Sequence, residues 1–193
     1  MLQTVTSWTL LEGLKRADRQ TVWGEYVSRY RPLLVRHFQR LGIQLQDAED
    51  IAQETLLAFA RAYGEGKYDP NHGRLRSWLF GIAHRTLRAW NRQRARALPA
   101  TQLTPRDVLP DEDHQSELWE EDWRDAVLEQ CIEEVRREVE PTTFAAFAKF
   151  AREGRPAREV AAELGISENA VFGAKRRILR RIRELLPAVE EAF

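Results

Sequence analysis

The chain of 193 residues contains little of what several classes of protein require. Its single cysteine, Cys131, excludes a disulfide framework and any zinc site built on a pair of cysteines. No apolar run approaches the roughly 18 residues of a membrane-spanning helix, and the first residues lack the basic start of a secretory signal. Net charge is absent as well, since 30 basic side chains balance 30 acidic ones. These absences predict a soluble, cytoplasmic protein without membrane insertion.

The zero net charge conceals three segments of different sign. Residues 1–97 carry 16 Lys and Arg against 9 Asp and Glu, residues 98–140 carry 4 against 14, and residues 141–193 carry 10 against 7. Two basic ends therefore flank an acidic middle. Since basic surfaces attract nucleic acid, the two ends are the places to look for a nucleic-acid partner.

The hydrophobic pattern is helical almost throughout. Apolar residues recur at helical spacing over residues 22–41, 48–63 and 75–90, and no run shows a convincing strand alternation. Pro32 is expected to kink or split the first of these helices, because proline removes a backbone donor and clashes with the preceding turn. A short helix is expected before it, over Ser7–Ala17.

The helical pattern disappears in residues 98–118, where three prolines and five acidic side chains predict an extended acidic linker. Helical spacing resumes at Trp119. We therefore expect an all-α protein made of two small helical bundles, with one domain at residues 1–97 and another at residues 119–193.

The most specific local pattern lies between Pro156 and Leu186. Gly165 permits a sharp turn, Ser167 can cap a second helix through its hydroxyl, and Val171 can pack back on the first helix. Two helices that cross through a tight turn need these residue types at this spacing. The pattern predicts a helix-turn-helix.

The second helix of this pattern favours duplex DNA over simple packing. Its first turns expose polar residues, and six cations follow within nine residues, so it can lie in a major groove with its cations near phosphates. The alternative is a solvated helix in an ordinary helical hairpin. Asn169 and Arg176 are the preferred base readers. The candidate residues for duplex DNA are Ser167, Glu168, Asn169, Phe172, Lys175, Arg176, Arg177 and Arg180.

A second basic element spans residues 74–96, which contain seven arginines and no acidic residue. At about 100° per residue, four arginines share one side of a helix: Arg85, Arg88, Arg92 and Arg96. Trp78 projects close to this side, and an aromatic ring beside a cationic track suits single-stranded nucleic acid. The alternative is that Trp78 belongs to the rim of the core and that the arginines only solubilise the helix.

Two stretches together resemble a known family. DAEDIAQETLLAFARAY at residues 47–63, followed by YDPNHGRLRSWLFGIAHRTLRAWNRQRAR at residues 68–96, is similar to region two of the extracytoplasmic-function sigma factors of bacterial RNA polymerase. The C-terminal helix-turn-helix pattern resembles their region four, in the same order along the chain. Leu75 and Leu56 stand where the family usually or often has an aromatic residue, and both departures are apolar.

The resemblance implies binding to core RNA polymerase and to promoter DNA. The helix with the Asp-x-x-Asp-x-x-Gln pattern would dock on the clamp helices of the largest polymerase subunit, and its carboxylates form one acidic stripe able to meet a basic partner; a solvated helix face is the alternative. The implied polymerase-binding residues are Asp47, Asp50, Gln53 and Glu54.

The resemblance also implies that the following loop and helix recognise and melt the minus-ten element. Extruding a base costs a few kcal/mol, so a pocket that stacks on the base and bonds to it must offset that cost. The implied residues are Tyr68, Asn71, His72, Arg74, Arg76, Trp78, Arg85, Arg88 and Arg92. The helix-turn-helix would read the minus-thirty-five element as duplex. The acidic linker would either thread through the polymerase or act as a plain spacer, and an anti-sigma protein is a further partner that the resemblance allows.

Catalysis is not expected from this sequence. The four histidines, His37, His72, His84 and His114, lie far apart, and no glycine-rich phosphate loop or nucleophile elbow accompanies them. We therefore expect no catalytic residue, no metal and no cofactor. The competing function is a DNA-binding transcriptional regulator that acts without being a polymerase subunit.

Overall fold

The structure is a computed structural model that describes residues 19–97 and 110–193. Seven α-helices occupy this part of the chain and no strand occurs in it, which confirms the predicted all-α class. The helices are α1 (Arg19–Arg40), α2 (Leu45–Gly64), α3 (Leu75–Ala97), α4 (Glu112–Glu138), α5 (Pro141–Phe147), α6 (Ala157–Leu164) and α7 (Glu168–Ala192). A 3-10 turn at Pro70–His72 precedes α3, and a π-helical turn at Ala148–Arg152 follows α5.

The chain forms two compact units that divide between Arg124 and Asp125, inside α4. The N-terminal unit contains α1, α2, α3 and the first half of α4. The C-terminal unit contains the second half of α4 together with α5, α6 and α7. The helix expected at Ser7–Ala17 and the linker residues 98–109 lie outside the described residues.

The start of α4 corrects the expected linker. Residues 112–118 form the first two turns of this helix, so the prediction of an extended chain is wrong for them. Glu112 and Asp113 lie in the first turn, where negative charge stabilises a helix N-terminus. The acidic composition that indicated a linker is therefore equally suited to begin a helix.

The core of the N-terminal unit is rich in aromatic rings. Tyr26 and Phe38 of α1 are fully buried, as are Ile51 and Phe59 of α2, and the rings of Tyr26 and Phe59 stack with their centroids 4.9 Å apart. The helix α1 continues through Pro32 without being split.

The first half of α4 closes this core through two tryptophans. Trp119 and Trp123 are almost completely buried, and their rings lie 5.9 Å apart. The indole nitrogen Nε1 of Trp119 donates a 3.2 Å hydrogen bond to the backbone carbonyl of Arg76 in the first turn of α3. These contacts make the first half of α4 an integral part of the N-terminal unit.

In the C-terminal unit, α6 and α7 are joined by a tight turn. Gly165 adopts a left-handed conformation with φ of 66°, which glycine reaches without the steric cost of a side chain. The hydroxyl of Ser167 then accepts a 3.2 Å hydrogen bond from the backbone N–H of Ala170 and caps α7. Both predicted turn details are confirmed. The small core beneath the turn contains Ala146, Ala157, Val160, Ala161, Val171 and Ala174.

Candidate nucleic-acid and polymerase-binding surfaces

The helix α2 separates an apolar face from a polar one. Ile51 and Phe59 are buried, whereas Asp50, Gln53 and Glu54, three of the candidate polymerase-binding residues, are exposed. Residues that are three, four or seven positions apart lie on one side of a helix. Asp50, Gln53 and Glu54 have this spacing, so they share the polar face. The expected exposed polar stripe therefore exists for these three residues.

Asp47, the fourth candidate of this group, is placed differently. Its carboxylate oxygen Oδ2 accepts a hydrogen bond from Nη1 of Arg94 at 3.3 Å, and both side chains are about one-third exposed. Asp47 therefore joins α2 to α3 within the unit.

An apolar residue that the sequence analysis did not select extends the stripe. Leu57 is 40% exposed and lies seven residues after Asp50, which puts it on the same side of α2. Its spacing from the acidic residues could have identified Leu57 as a surface residue. An isolated leucine in a helical pattern is, however, normally assigned to the core.

The loop between α2 and α3 is organised by Asp69. Its carboxylate accepts hydrogen bonds from the backbone N–H and the side-chain amide of Asn71, at 2.9 and 3.0 Å, and from Nδ1 of His72 at 2.6 Å. The backbone bond from Asn71 and the bond from His72 hold the pKa of Asp69 below its usual value. The loop candidates Asn71 and His72 are thus exposed but fixed by one carboxylate.

Asp69 lies in the loop that the resemblance assigns to minus-ten recognition, but its role as the acceptor that fixes Asn71 and His72 was not predicted. The signal was present, because an aspartate directly before a proline that opens a helical turn is a preferred cap. The carboxylate limits the positions that Asn71 and His72 can take.

Trp78 lies within a row of rings that begins in the core. Its ring is 4.7 Å from that of Phe59 and 4.9 Å from that of Tyr68, measured between centroids. Both Trp78 and Tyr68 are half-buried, and burial raises the pKa of the Tyr68 phenol. Trp78 therefore belongs to the rim of the core and also keeps part of its ring in solvent.

The arginine side of α3 is exposed as expected. Arg85, Arg88 and Arg92 face solvent, while Leu79 and Leu87 on another side of the helix are buried. Arg74, immediately before α3, is exposed as well. The structure thus brings these four candidates for minus-ten DNA onto the outside of the unit.

Arg76 differs from the other arginines of this group because α4 covers it. Its Nη1 lies 3.4 Å from a carboxylate oxygen of Glu120, and only 24% of its side chain is exposed. The contact with Trp119 involves the backbone of the same residue. Arg76 therefore fastens α4 to α3.

A buried ionic network connects α4 to α1 and was not foreseen. Asp122 is fully buried and lies 2.9 Å from Nδ1 of His37, 2.9 Å from Nη1 of Arg40 and 3.3 Å from Nε of Arg36. Burial alone would raise the pKa of Asp122, but the hydrogen bonds from His37 and Arg40 outweigh it and lower the pKa. An ionised carboxylate only accepts, so His37 donates from Nδ1.

In the C-terminal unit, α7 presents most of the candidates for duplex DNA to solvent. These are Ser167, Glu168, Asn169, Phe172, Arg176, Arg177 and Arg180. Lys175 is half-buried, and its Nζ lies 5.3 Å from the ring centroid of Phe150 in the π-helical turn. The cap and the turn described above orient this exposed side of the helix.

Two cations of α7 interact with acidic side chains of the same unit. Arg181 forms hydrogen bonds to both carboxylate oxygens of Glu138, at 2.6 and 3.0 Å, and to Glu184 at 3.1 Å. The hydrogen bonds that Glu138 accepts from Arg181 lower the pKa of Glu138. Arg180 makes a longer contact of 3.9 Å with Glu184. Arg181 therefore stabilises the unit.

Within residues 19–97 and 110–193, no group of three or more histidine, cysteine and acidic side chains is arranged to hold a metal ion. In the same part of the chain, no helix is both long and apolar enough to cross a bilayer.

Part of the chain is similar to a known protein family. Residues 26–97, which include α2, the loop and α3, match the family model described as Sigma-70 region 2. The solved structure described as "Structure of CnrH in complex with the cytosolic domain of CnrY" is 23% identical to this chain; the match covers 93% of this chain and 96% of that chain, with a TM-score of 0.36. No curated protein sequence matches the chain.

Proposed function

We propose that the chain is an extracytoplasmic-function sigma factor that brings core RNA polymerase to a two-part promoter, because its residues 26–97 match the model of Sigma-70 region 2. The observation that carries the proposal is the match over residues 26–97, which contain both the exposed stripe of α2 and the arginine side of α3. Its place of action would be the cytoplasm, where core polymerase works.

In this proposal, the polar side of α2 contacts the clamp helices of the largest polymerase subunit. Asp50, Gln53 and Glu54 are exposed together, and a basic partner helix would complement them electrostatically. Asp47 would act indirectly, since its bond to Arg94 keeps α2 and α3 in register. An anti-sigma protein stays a predicted further partner.

The loop and α3 would open and hold the minus-ten element. Arg74, Arg85, Arg88 and Arg92 form an exposed cationic track that can follow the backbone of the displaced strand. Beside the track, the partly exposed ring of Trp78 and the ordered side chain of Asn71 offer stacking and hydrogen bonding to an extruded base. Arg76 would reach DNA only after it leaves Glu120.

The exposed side of α7 would read the minus-thirty-five element in the major groove. Asn169 and Arg176, the preferred base readers, are both exposed, and Arg177 and Arg180 follow within reach of phosphates. Residues 125–193 would thus supply a reading surface separate from the melting surface.

Reconstitution with core polymerase tests the proposal. Holoenzyme containing the full chain should give run-off transcripts from a promoter library, whereas core polymerase alone should not. Asp50→Arg should abolish assembly, because it places a cation against the basic partner that the stripe is proposed to meet. Glu25→Arg is the matched control, since Glu25 is an exposed carboxylate on α1 outside the stripe.

Two results would contradict the proposal. Normal assembly by the Asp50→Arg variant would remove α2 as the polymerase contact. Sequence-specific binding of the chain to duplex DNA, without any affinity for core polymerase, would instead identify an independent transcriptional regulator.

A further inference from the structure

An aromatic side chain stands exposed in the middle of the proposed reading surface. Phe172 is 42% exposed and lies one helical turn after Glu168 and one turn before Arg176, both of which face solvent. The opposite side of α7 at this level is formed by the buried residues Val171 and Ala174. Phe172 is therefore not needed to fill the core, and its ring projects where a DNA groove would lie.

The ring of Phe172 is held in place from one side. Phe150 of the π-helical turn meets it edge to face, with 5.3 Å between the centroids. Lys175 contacts the other ring of this pair, with Nζ 5.3 Å from the centroid of Phe150. Such aromatic and cation contacts are favourable, so the exposed edge of Phe172 is preorganised with a cation close by.

We propose that Phe172 contacts the methyl group of a thymine in the major groove and so makes thymine part of the upstream element that this protein reads. Among the four bases only thymine carries a methyl group there, and an apolar side chain is its usual contact. A phenylalanine ring has no donor or acceptor for the hydrogen-bonding edges of the other bases. The inference rests on the proposed function, because it requires α7 to enter duplex DNA.

The charges around Phe172 favour DNA over an apolar protein partner. Lys175, Arg176 and Arg177 follow it within five residues, and Glu168 is the acidic residue on the preceding turn. These cations would attract the phosphates of a polyanion such as DNA. A hydrophobic protein surface would have to remove water from the same cations without pairing them.

The test replaces thymine by uracil, which pairs identically and lacks only the methyl group. Holoenzyme made from the full chain and core polymerase is used to select duplexes from a library randomised upstream of the start site. Each thymine of the enriched upstream element is then changed singly to uracil, and dissociation constants are measured. Wild-type holoenzyme should bind about fourfold more weakly at the contacted position, the ratio expected for one lost methyl contact.

Two variants separate the contact from general effects. Phe172→Ala should bind the thymine and uracil duplexes equally. Leu186→Ala is the matched control, because Leu186 is also an exposed apolar residue of α7, at 38%, but lies fourteen positions further along the helix; it should keep the wild-type preference. Thermal unfolding followed by circular dichroism checks that both variants fold.

Each other outcome has a distinct meaning. If no uracil substitution weakens the wild type, or if Phe172→Ala keeps the wild-type preference, the proposed contact is wrong. Weaker assembly of Phe172→Ala with core polymerase, with an unchanged preference for thymine, would overturn it in favour of a protein contact. Failure of the wild type to assemble with core polymerase would overturn the proposed function itself.

Discussion

Replacing Asp122 by asparagine should destabilise the N-terminal unit, because it removes a buried negative charge that His37, Arg36 and Arg40 surround. Removing one partner of a buried ion pair commonly costs about 3–5 kcal/mol. Here the side chains of Arg36 and Arg40 are 49% and 32% exposed, so water can solvate them after the change. An asparagine oxygen can also still accept from Arg40. We therefore expect the free energy of unfolding to fall by about 2 kcal/mol, which is below that range.

The matched control is Glu121→Gln. Glu121 lies beside Asp122 on α4 and contacts the same guanidinium group, at 2.7 Å, but 53% of its side chain is exposed. Exposed pairs contribute about 1 kcal/mol or less. The difference between the stability losses of the two variants therefore isolates the effect of burying the carboxylate.

The assay is urea unfolding at equilibrium, followed by tryptophan fluorescence. No tryptophan follows Arg124, so the signal does not report on the C-terminal unit. With a urea dependence of about 2 kcal/mol per molar, the midpoint should fall by about 1 M. An Asp122→Asn variant as stable as Glu121→Gln at pH 7 would refute a structural role for the network.

The pH dependence provides an independent check of the same network. The pKa of Asp122 is lower in the folded chain than its usual value. The ionised carboxylate therefore stabilises the folded state above about pH 4, and this stabilisation is lost as the pH falls through the folded pKa. The stability difference between wild type and Asp122→Asn should therefore shrink below pH 4. A difference that stays constant down to pH 2 would contradict the ionised buried carboxylate.

Three further outcomes are expected. Trp78→Ala should impair promoter opening, measured by permanganate reactivity, more than initial binding, whereas equal loss of both would favour a purely structural role. Arg181→Ala should lower the stability of the C-terminal unit by about 1 kcal/mol in thermal unfolding, and Arg177→Ala should instead weaken DNA binding with unchanged stability. The promoter complex should show a log-log salt slope of roughly −4 if four or five phosphates are neutralised, and a nearly salt-independent complex would contradict the basic surfaces.

Local patterns predicted the features that depend on near neighbours in the chain. The buried and exposed sides of α3 follow from the 3.6-residue period, which places Leu79 and Leu87 inward and Arg88 outward. The turn at Gly165 and the cap at Ser167 follow from the conformations that those residue types favour. At Gly165 and Ser167 the hydrogen bond that fixes the turn lies within four residues of the named position.

Contacts between distant segments could not be predicted in this way. His37 and Asp122 are 85 residues apart, and nothing in the sequence around either of them identifies the other as its partner. The contact of Arg76 with Glu120 has the same origin, so the position of this arginine on α3 did not reveal that α4 covers it. Acidic composition is compatible with an extended linker and with the first turn of a helix, so composition alone could not identify the start of α4.

The distribution of these contacts gives the zero net charge a physical meaning. Acidic residues of α4 pair with Arg76 and Arg40 in the N-terminal unit and, through Glu138, with Arg181 in the C-terminal unit. Cations that position the helices are therefore neutralised within each unit. The arginine side of α3 and the outer side of α7 stay exposed, so basic charge is concentrated where DNA is proposed to bind. Because net charge sets the long-range attraction to arbitrary DNA, a neutral chain of this kind depends on its local surfaces for affinity.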